Sequence, residues 1–170
     1  MKNMMKKIGI ISDTHGFWDE AFRRYFYECD EIWHAGDIGN LNITDKLEEI
    51  APLKAVFGNI DNNEIRQEFQ EDEVLEYGNQ KIFLTHIAGK LGSYHQNSKE
   101  KIALYKPNVL VCGHSHICKV AYDKKYQLLY INPGAAGIIG FHKVRTIIKL
   151  ELNEGAINNL EVIELKRKLS

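Results

Sequence analysis

Five apolar runs of strand length each end on a short polar motif, and this limits the fold more than any other property of the chain. Lys7 to Ser12 runs into Ser12-Asp13-Thr14-His15-Gly16, and Glu31 to Ala35 into His34-Ala35-Gly36-Asp37. Leu53 to Phe57 runs into Phe57-Gly58-Asn59-Ile60-Asp61, and Lys81 to Thr85 ends at Thr85-His86. Asn108 to Cys112 ends at Cys112-Gly113-His114-Ser115-His116. Short continuous apolar runs suit strands buried on both faces. In an open α/β sheet, ligands bind beyond the carboxyl ends of such strands. The five motifs are therefore expected to gather at one place.

The segments between them fit the same plan. Asp19 to Cys29 carries Phe22, Tyr25 and Phe26 at helical spacing, Ile43 to Ile50 reads as a second helix, and Ser93 to Tyr105 as a third ending before Pro107. Val74 to Tyr77 and Lys81 to Thr85 form a hairpin across Gly78-Asn79. From Cys118 onward the pattern is β-rich: Cys118 to Tyr122, Gln127 to Ile131, Val144 to Leu152 and Ile157 to Leu165 read as strands. Turns fall at Asp123-Lys124-Lys125 and Asn153-Glu154-Gly155, and Val144, Thr146, Ile148, Leu150 and Leu152 share one parity. With no repeat, linker or low-complexity stretch, the economical expectation is one α/β domain over residues 1–170, built around packed sheets.

Composition narrows the function. A net charge of -1 offers no basic field for a nucleic-acid backbone, although Glu164 to Lys168 is a local basic run. Cys29, Cys112 and Cys118 are odd in number and form no Cys-x-x-Cys pair, which argues against a disulfide framework and a thiolate zinc site and fits a reducing cytoplasm. Met1 to Lys7 is basic, but the apolar stretch after it, Ile8 to Ile11, is too short for a signal-peptide core or a membrane span.

The polar motifs share a chemistry. Neutral imidazoles, carboxylates and an amide oxygen suit borderline to hard divalent metals such as manganese, iron, cobalt, nickel or zinc. Asp13 and His15 are two positions apart at a strand end, hence on one side of the chain, and His114 and His116 repeat that spacing. The second pair could reach two different ions, with Asp37, from a central strand, as the bridge between them. Each motif alone has a plainer reading: a helix cap at Asp13-Thr14-His15-Gly16, turns at Gly36-Asp37 and Gly58-Asn59, a half-buried histidine at His86. Seven compatible donors at five strand ends exceed what those readings explain together. Among the remaining polar residues, His34 is either a core histidine or a support for a ligand, and His95 is a surface residue. His142 lies in a late loop that could approach the site but suits a surface role. Phe17 and Trp18 wall a cleft, pack locally or meet another subunit, and the segment Asn132 to Gly137 is either an ordinary turn or a set of backbone amides near an anion.

In this order, Asp13-x-His15, Gly36-Asp37, Gly58-Asn59-x-Asp61, His86 and Gly113-His114-x-His116 resemble the five signature blocks of the calcineurin-like metallophosphoesterases. Chain length and Asn132-Pro133-Gly134 point to the small bacterial and archaeal phosphodiesterase branch, near which the eukaryotic retromer scaffold subunit also belongs. The resemblance implies a four-layer αββα sandwich of two mixed sheets flanked by helices. It also implies a phosphodiesterase using two divalent ions, manganese first, with zinc, iron, nickel or cobalt as alternatives. Asp13, His15 and His116 would hold one ion, Asn59, His86 and His114 the other, and Asp37 both. A hydroxide between the ions would attack phosphorus, with Asn59 and His114 also touching the phosphoryl group and Asp61 orienting His15 or His114. A small phosphoester is the expected partner, with no membrane, nucleic acid disfavoured and self-association left open. Ile60 stands where many relatives carry the histidine that protonates the leaving group, which favours activated or aryl diesters over alkyl esters. Ile87 and Ala135 replace the family's usual glycine and serine. The competing expectations are a non-catalytic metal-binding scaffold on the same fold and a mononuclear hydrolase acting on other esters or amides.

Overall fold

The computed structural model describes residues 5–154 and 156–167. Met1 to Met4, Gly155 of the last expected turn and Lys168 of the basic run lie outside the described residues. Among those described, no helix is long and apolar enough to cross a membrane.

The buried run β1 (Lys6–Ile11) is the middle strand of the first sheet, parallel to β2 (Glu31–His34) and antiparallel to β11 (Arg145–Asn153). With β3 (Leu53–Ala55) and β12 (Ala156–Leu165) the order is β12-β11-β1-β2-β3. The second sheet runs β4-β5-β8-β10-β9, from β4 (Asp72–Tyr77), β5 (Gln80–Thr85), β8 (Val109–Val111), β9 (Cys118–Asp123) and β10 (Leu128–Pro133). Both sheets mix parallel and antiparallel pairs.

Apolar side chains on two faces of each sheet decide the layering. Ile8, Ile10, Trp33 and Ile148 of the first sheet pack against Ile82, Leu84, Val109 and Val111 of the second. The outer face of the first sheet is covered by α1 (Glu20–Phe26), α2 (Leu41–Glu48) and α3 (Asn63–Glu68), whose Phe22, Phe26, Ile43, Leu47 and Ile65 meet Ile11, Ile32 and Ile147. On the outer face of the second, α4 (Gln96–Tyr105) sets Ile102 against Phe83 and Leu110. The result is the αββα sandwich of two mixed sheets flanked by helices. A side chain at Gly9 would meet the Phe26 ring at 2.7 Å, so α1 lies directly on β1.

Several boundaries differ from the sequence expectation. Helix α4 starts at Gln96 because Ser93–Tyr94 (β7) pairs with Gly89–Lys90 (β6), and it ends where Lys106 turns left-handed (φ 49°) before Pro107. Helix α1 stops at Phe26, well short of Cys29. Helix α3 was not expected; it is capped by Asn62, which accepts from the Ile65 amide at 3.1 Å. Ile65 is its only buried side chain, so the segment carries no helical periodicity. On β11, Ile148, Leu150 and Leu152 face the intersheet core as their parity implies, but Arg145 and Ile147 are buried too and Val144 is exposed.

Candidate metal centre

The exits of β1, β2, β3, β5 and β8 meet at one end of the sandwich, and their donors fall into two groups. Asp13, His15 and His116 bring one donor atom each within 4.8 Å of one another, and Asp37, His86 and His114 do the same. Asn59 joins the second group, its Oδ1 lying 3.1 Å from both His86 Nε2 and His114 Nδ1. Asp37 lies between the groups, with Oδ1 3.2 Å from His86 Nε2 and Oδ2 3.5 Å from His15 Nε2. His114 and His116, two residues apart, serve different groups.

The backbone is bent to achieve this. Asp13 (φ 54°), His15 (φ 47°), Asp37 (φ 53°), His114 (φ 69°) and His116 (φ 60°) all occupy the left-handed region. Each such residue costs on the order of 1–3 kcal/mol and persists only where its surroundings enforce it. Asp13 N–H to Gly36 O (3.0 Å) and His15 N–H to Asp37 O (2.9 Å) supply part of that enforcement. The unusual dihedral thus falls on the donor itself. Gly58 and Gly113 are needed for room instead: a Cβ at Gly58 would meet Asp37 Oδ1 at 2.1 Å, and one at Gly113 Ser12 Oγ at 2.1 Å and Asp13 Oδ2 at 2.7 Å.

Hydrogen bonds decide which atoms face the centre. Asp13 Oδ2 accepts from Ser12 Oγ (2.7 Å) and the His114 amide (3.1 Å), which leaves Oδ1 free. His86 Nδ1–H donates to Ala35 O (2.7 Å), because a carbonyl only accepts, so Nε2 points its lone pair inward. Without a metal, burial presses the His86 pKa down, but the hydrogen bond that the protonated ring donates to Asp37 and the Asp13 and Asp37 charges outweigh it and lift the imidazole above its ordinary value. Burial likewise pushes Asp37 up, and the His86 hydrogen bond and charge, the Ile60 amide and His15 turn this into a net lowering. Burial, joined by the His86 charge, holds His114 below its ordinary value.

Asp13 Oδ1 and His15 Nε2 are buried with no hydrogen-bond partner, and His116 Nε2 lies 3.1 Å from that same Asp13 oxygen. A buried carboxylate oxygen without a donor is costly. A divalent cation among these atoms removes the deficit, and an all-nitrogen-and-oxygen donor set suits borderline to hard metals. The residues fit two ions.

Other expected residues take different places. Asp61 does not orient His15 or His114. Its carboxylate accepts from the Gly58 (2.7 Å), Ile38 (3.1 Å) and Gly39 (2.8 Å) amides, tying the β3 exit to the β2 exit. His34 accepts from the Gly36 amide through Nδ1 (3.1 Å) and faces Thr14 Oγ1 through Nε2 (2.9 Å), so it braces two motif loops without touching a donor side chain. Asn132 holds Gly113 O (2.9 Å) and Ser115 Oγ (3.1 Å), while Gly134, Ala136 and Gly137 spend their amides on Asn132, Ser12 and Asp13; the segment is a structural turn. His95 is exposed, and Phe17 and Trp18 pack locally against Arg145 and Phe22. His142 does approach: its Nδ1 lies 3.2 Å from His116 Nδ1. Arg66 escaped sequence reasoning; it bonds Asp61 O (2.7 Å) and Gly58 O (3.2 Å) and stacks 4.3 Å over Phe57, and only the unforeseen α3 places it there. Beside the second group opens a cleft of about 260 Å³, lined among others by Asn59, His86, Ile87, Asn97 and Lys101. Ile60 and Ile87 are exposed.

Known proteins resemble this chain in sequence and in fold. Residues 5–155 match the calcineurin-like phosphoesterase superfamily domain. A probable metallophosphoesterase of Methanocaldococcus jannaschii is 31% identical over 157 residues, covering 86% of this chain and 76% of that protein. The probable metallophosphoesterase YsnB of Bacillus subtilis is 28% identical, covering 86% and 85%. Among solved structures, one described as a novel archaeal phosphodiesterase is 26% identical with a TM-score of 0.68, covering 94% of this chain and 99% of that one. Vacuolar protein sorting 29 of Cryptosporidium parvum, 19% identical, shares the fold at a TM-score of 0.73 over 96% and 99%. The matched length, the identity over most of the chain and the two donor groups lead to one conclusion: the chain belongs to the calcineurin-like phosphoesterase superfamily, a metal-dependent family of phosphoesterases.

Proposed function

We propose that the protein is a phosphodiesterase working with two divalent ions, manganese first among them. Asp13, His15 and His116 would hold one, Asn59, His86 and His114 the other, and Asp37 both. The observation that carries this reading is the placement of the Asp37 oxygens, one against each donor group, beside the partnerless Asp13 Oδ1 and His15 Nε2. When bound, such an ion pair lowers the pKa of water towards neutrality and neutralises phosphoryl charge. The chain does the rest. Asp13 is held by Ser12 and the His114 amide, and His86 by Ala35 O, so each turns a single free donor inward. His114 is exposed beside Asn59, where it can meet a substrate phosphate. Ile60 offers no proton there, which supports activated or aryl diesters as substrates, and the likeness to the archaeal phosphodiesterase points the same way. Buried, unpaired Cys29 and Cys112 fit a reducing cytoplasm.

The test is hydrolysis of an aryl phosphodiester with manganese by the wild type, Asp37→Asn and His86→Ala. A fall of at least about 10²-fold in both variants is expected, the scale on which lost electrostatic stabilisation is felt. Unchanged rates would overturn the mechanism. A scaffold role is the second reading, favoured by the exposed apolar residues Ile117, Ile138, Ile139 and Phe141. Two equivalents of bound metal without turnover of any phosphoester would favour it over catalysis.

A further inference from the structure

His142 is a histidine outside the donor set, and its surroundings decide which of its nitrogens carries a proton. Nε2 lies 2.9 Å from Gly137 O, a group that only accepts, so Nε2 is protonated. Nδ1 lies 3.2 Å from His116 Nδ1, the two rings meeting edge-on with centroids 5.1 Å apart. One proton must lie between these nitrogens. Were it His142's, that ring would be a cation beside a metal ion. Keeping His142 neutral makes His116 the donor, which leaves the His116 lone pair on Nε2, the atom 3.1 Å from Asp13 Oδ1.

The loop around this contact is shaped for it. At Gly140 (φ 123°) a Cβ would stand 2.3 Å from His116 Nδ1 and 3.1 Å from His142 Nδ1. Arg167 holds the Gly140 carbonyl at 2.8 Å. Gly137, whose carbonyl sets the His142 ring, donates its own amide to Asp13 O at 3.0 Å. The loop is thereby stitched to the backbone of the donor that His116 faces.

We propose that His142 is a positioning residue for the ion held by Asp13, His15 and His116: it accepts the Nδ1 proton of His116 and so fixes the tautomer that frees Nε2 for the metal. The proposal rests on the two-ion reading above. Metal-bound histidines are commonly oriented by a carboxylate, carbonyl or water on the other nitrogen, and loss of that partner costs 10–100-fold in affinity. Here a neutral imidazole, anchored by a carbonyl, takes the place.

The experiment is calorimetric titration of manganese into the metal-free wild type, His142→Ala, His142→Asn and Gly140→Ala, with the melting temperature of each metal-free protein. The wild type is expected to bind two ions. His142→Ala should keep one site unchanged and weaken the other by about 10–100-fold, and Gly140→Ala should behave alike. His142→Asn should recover most of the loss, since the Asn Oδ1 can stand where Nδ1 stood and accept the same proton. Metal-free melting temperatures should agree between the wild type and the two His142 variants, while Gly140→Ala should melt lower because its backbone (φ 123°) strains any side chain. Unaltered affinity in His142→Ala, equal weakening of both sites, or no rescue by Asn would each overturn the proposal while leaving the two-ion reading intact. A wild type that binds no manganese would remove both.

Discussion

His34 illustrates how a single buried side chain can make the site region sensitive to pH. Burial, only partly offset by the Asp61 and Asp13 charges, pushes its pKa down from 6.5 to about 4. Between those values the unfolded chain binds a proton that the folded chain refuses, so stability falls as pH falls through that window. At about 1.4 kcal/mol per unit the full effect is on the order of 3 kcal/mol. His34→Asn removes this component and keeps an acceptor for the Gly36 amide. Urea unfolding of the metal-free proteins should therefore show the gap between wild type and variant narrowing from pH 7.5 to 4.5. A gap independent of pH would mean that His34 is not held neutral. His34 was legible in the sequence as a polar residue before Gly36-Asp37. Its brace between two loops was not, because Thr14 and His34 meet only when β1 and β2 pair.

At the scale of elements, Arg145 does most to join pieces distant in sequence. It is fully buried at the start of β11, donates to Ala136 O (2.6 Å) and to Asp19 Oδ2 (2.9 Å), and lies 4.8 Å over Phe17. Asp19 is also the cap of α1, accepting from the Ala21 amide at 2.9 Å. One guanidinium thus fixes the start of α1 against β11. Removing one partner of a buried pair costs about 3–5 kcal/mol, and Arg145→Met is expected near the lower end because Asp19 keeps its amide donor. Asp19→Asn also caps a helix but carries no charge, so the double variant should be more stable than the two single losses added together. Strictly additive urea midpoints would contradict a direct pair. The parity of β11 pointed Arg145 away from the intersheet core, and periodicity alone reads such a position as solvent-facing; only the helices on the far face bury it.

For the molecule as a whole, the donors come from both sheets: Asp13, His15, Asp37 and Asn59 follow strands of the first, and His86, His114 and His116 strands of the second. Ions bound there would clamp the two layers at one end. The folded protein should therefore gain stability with metal. Each site held at a hundred times its Kd adds about 2.7 kcal/mol, which for a chain of this size corresponds to roughly 5–10 °C in Tm. Thermal melting with manganese and then with excess chelator measures this, and an unmoved Tm under proven binding would mean that the unfolded chain holds the ions as tightly as the folded site does.

The amino-acid sequence by itself determined the buried strands, their order of polar exits and the donor chemistry, because apolar runs and adjacent motifs are local properties that survive in one dimension. It also carried the expectation that His114 and His116 serve different groups, since a spacing of two residues is set by the chain. Tertiary structure alone decided that Asp37 turns one oxygen to each group, that five of the donors themselves take left-handed dihedrals, and that Asp61 binds amides instead of imidazoles. It likewise brought His142 to His116 across 26 residues and buried Arg145. The physical reason is common to all of these. Distances, tautomers and burial depend on what the other sheet and the helices press against a residue, and no local pattern records that.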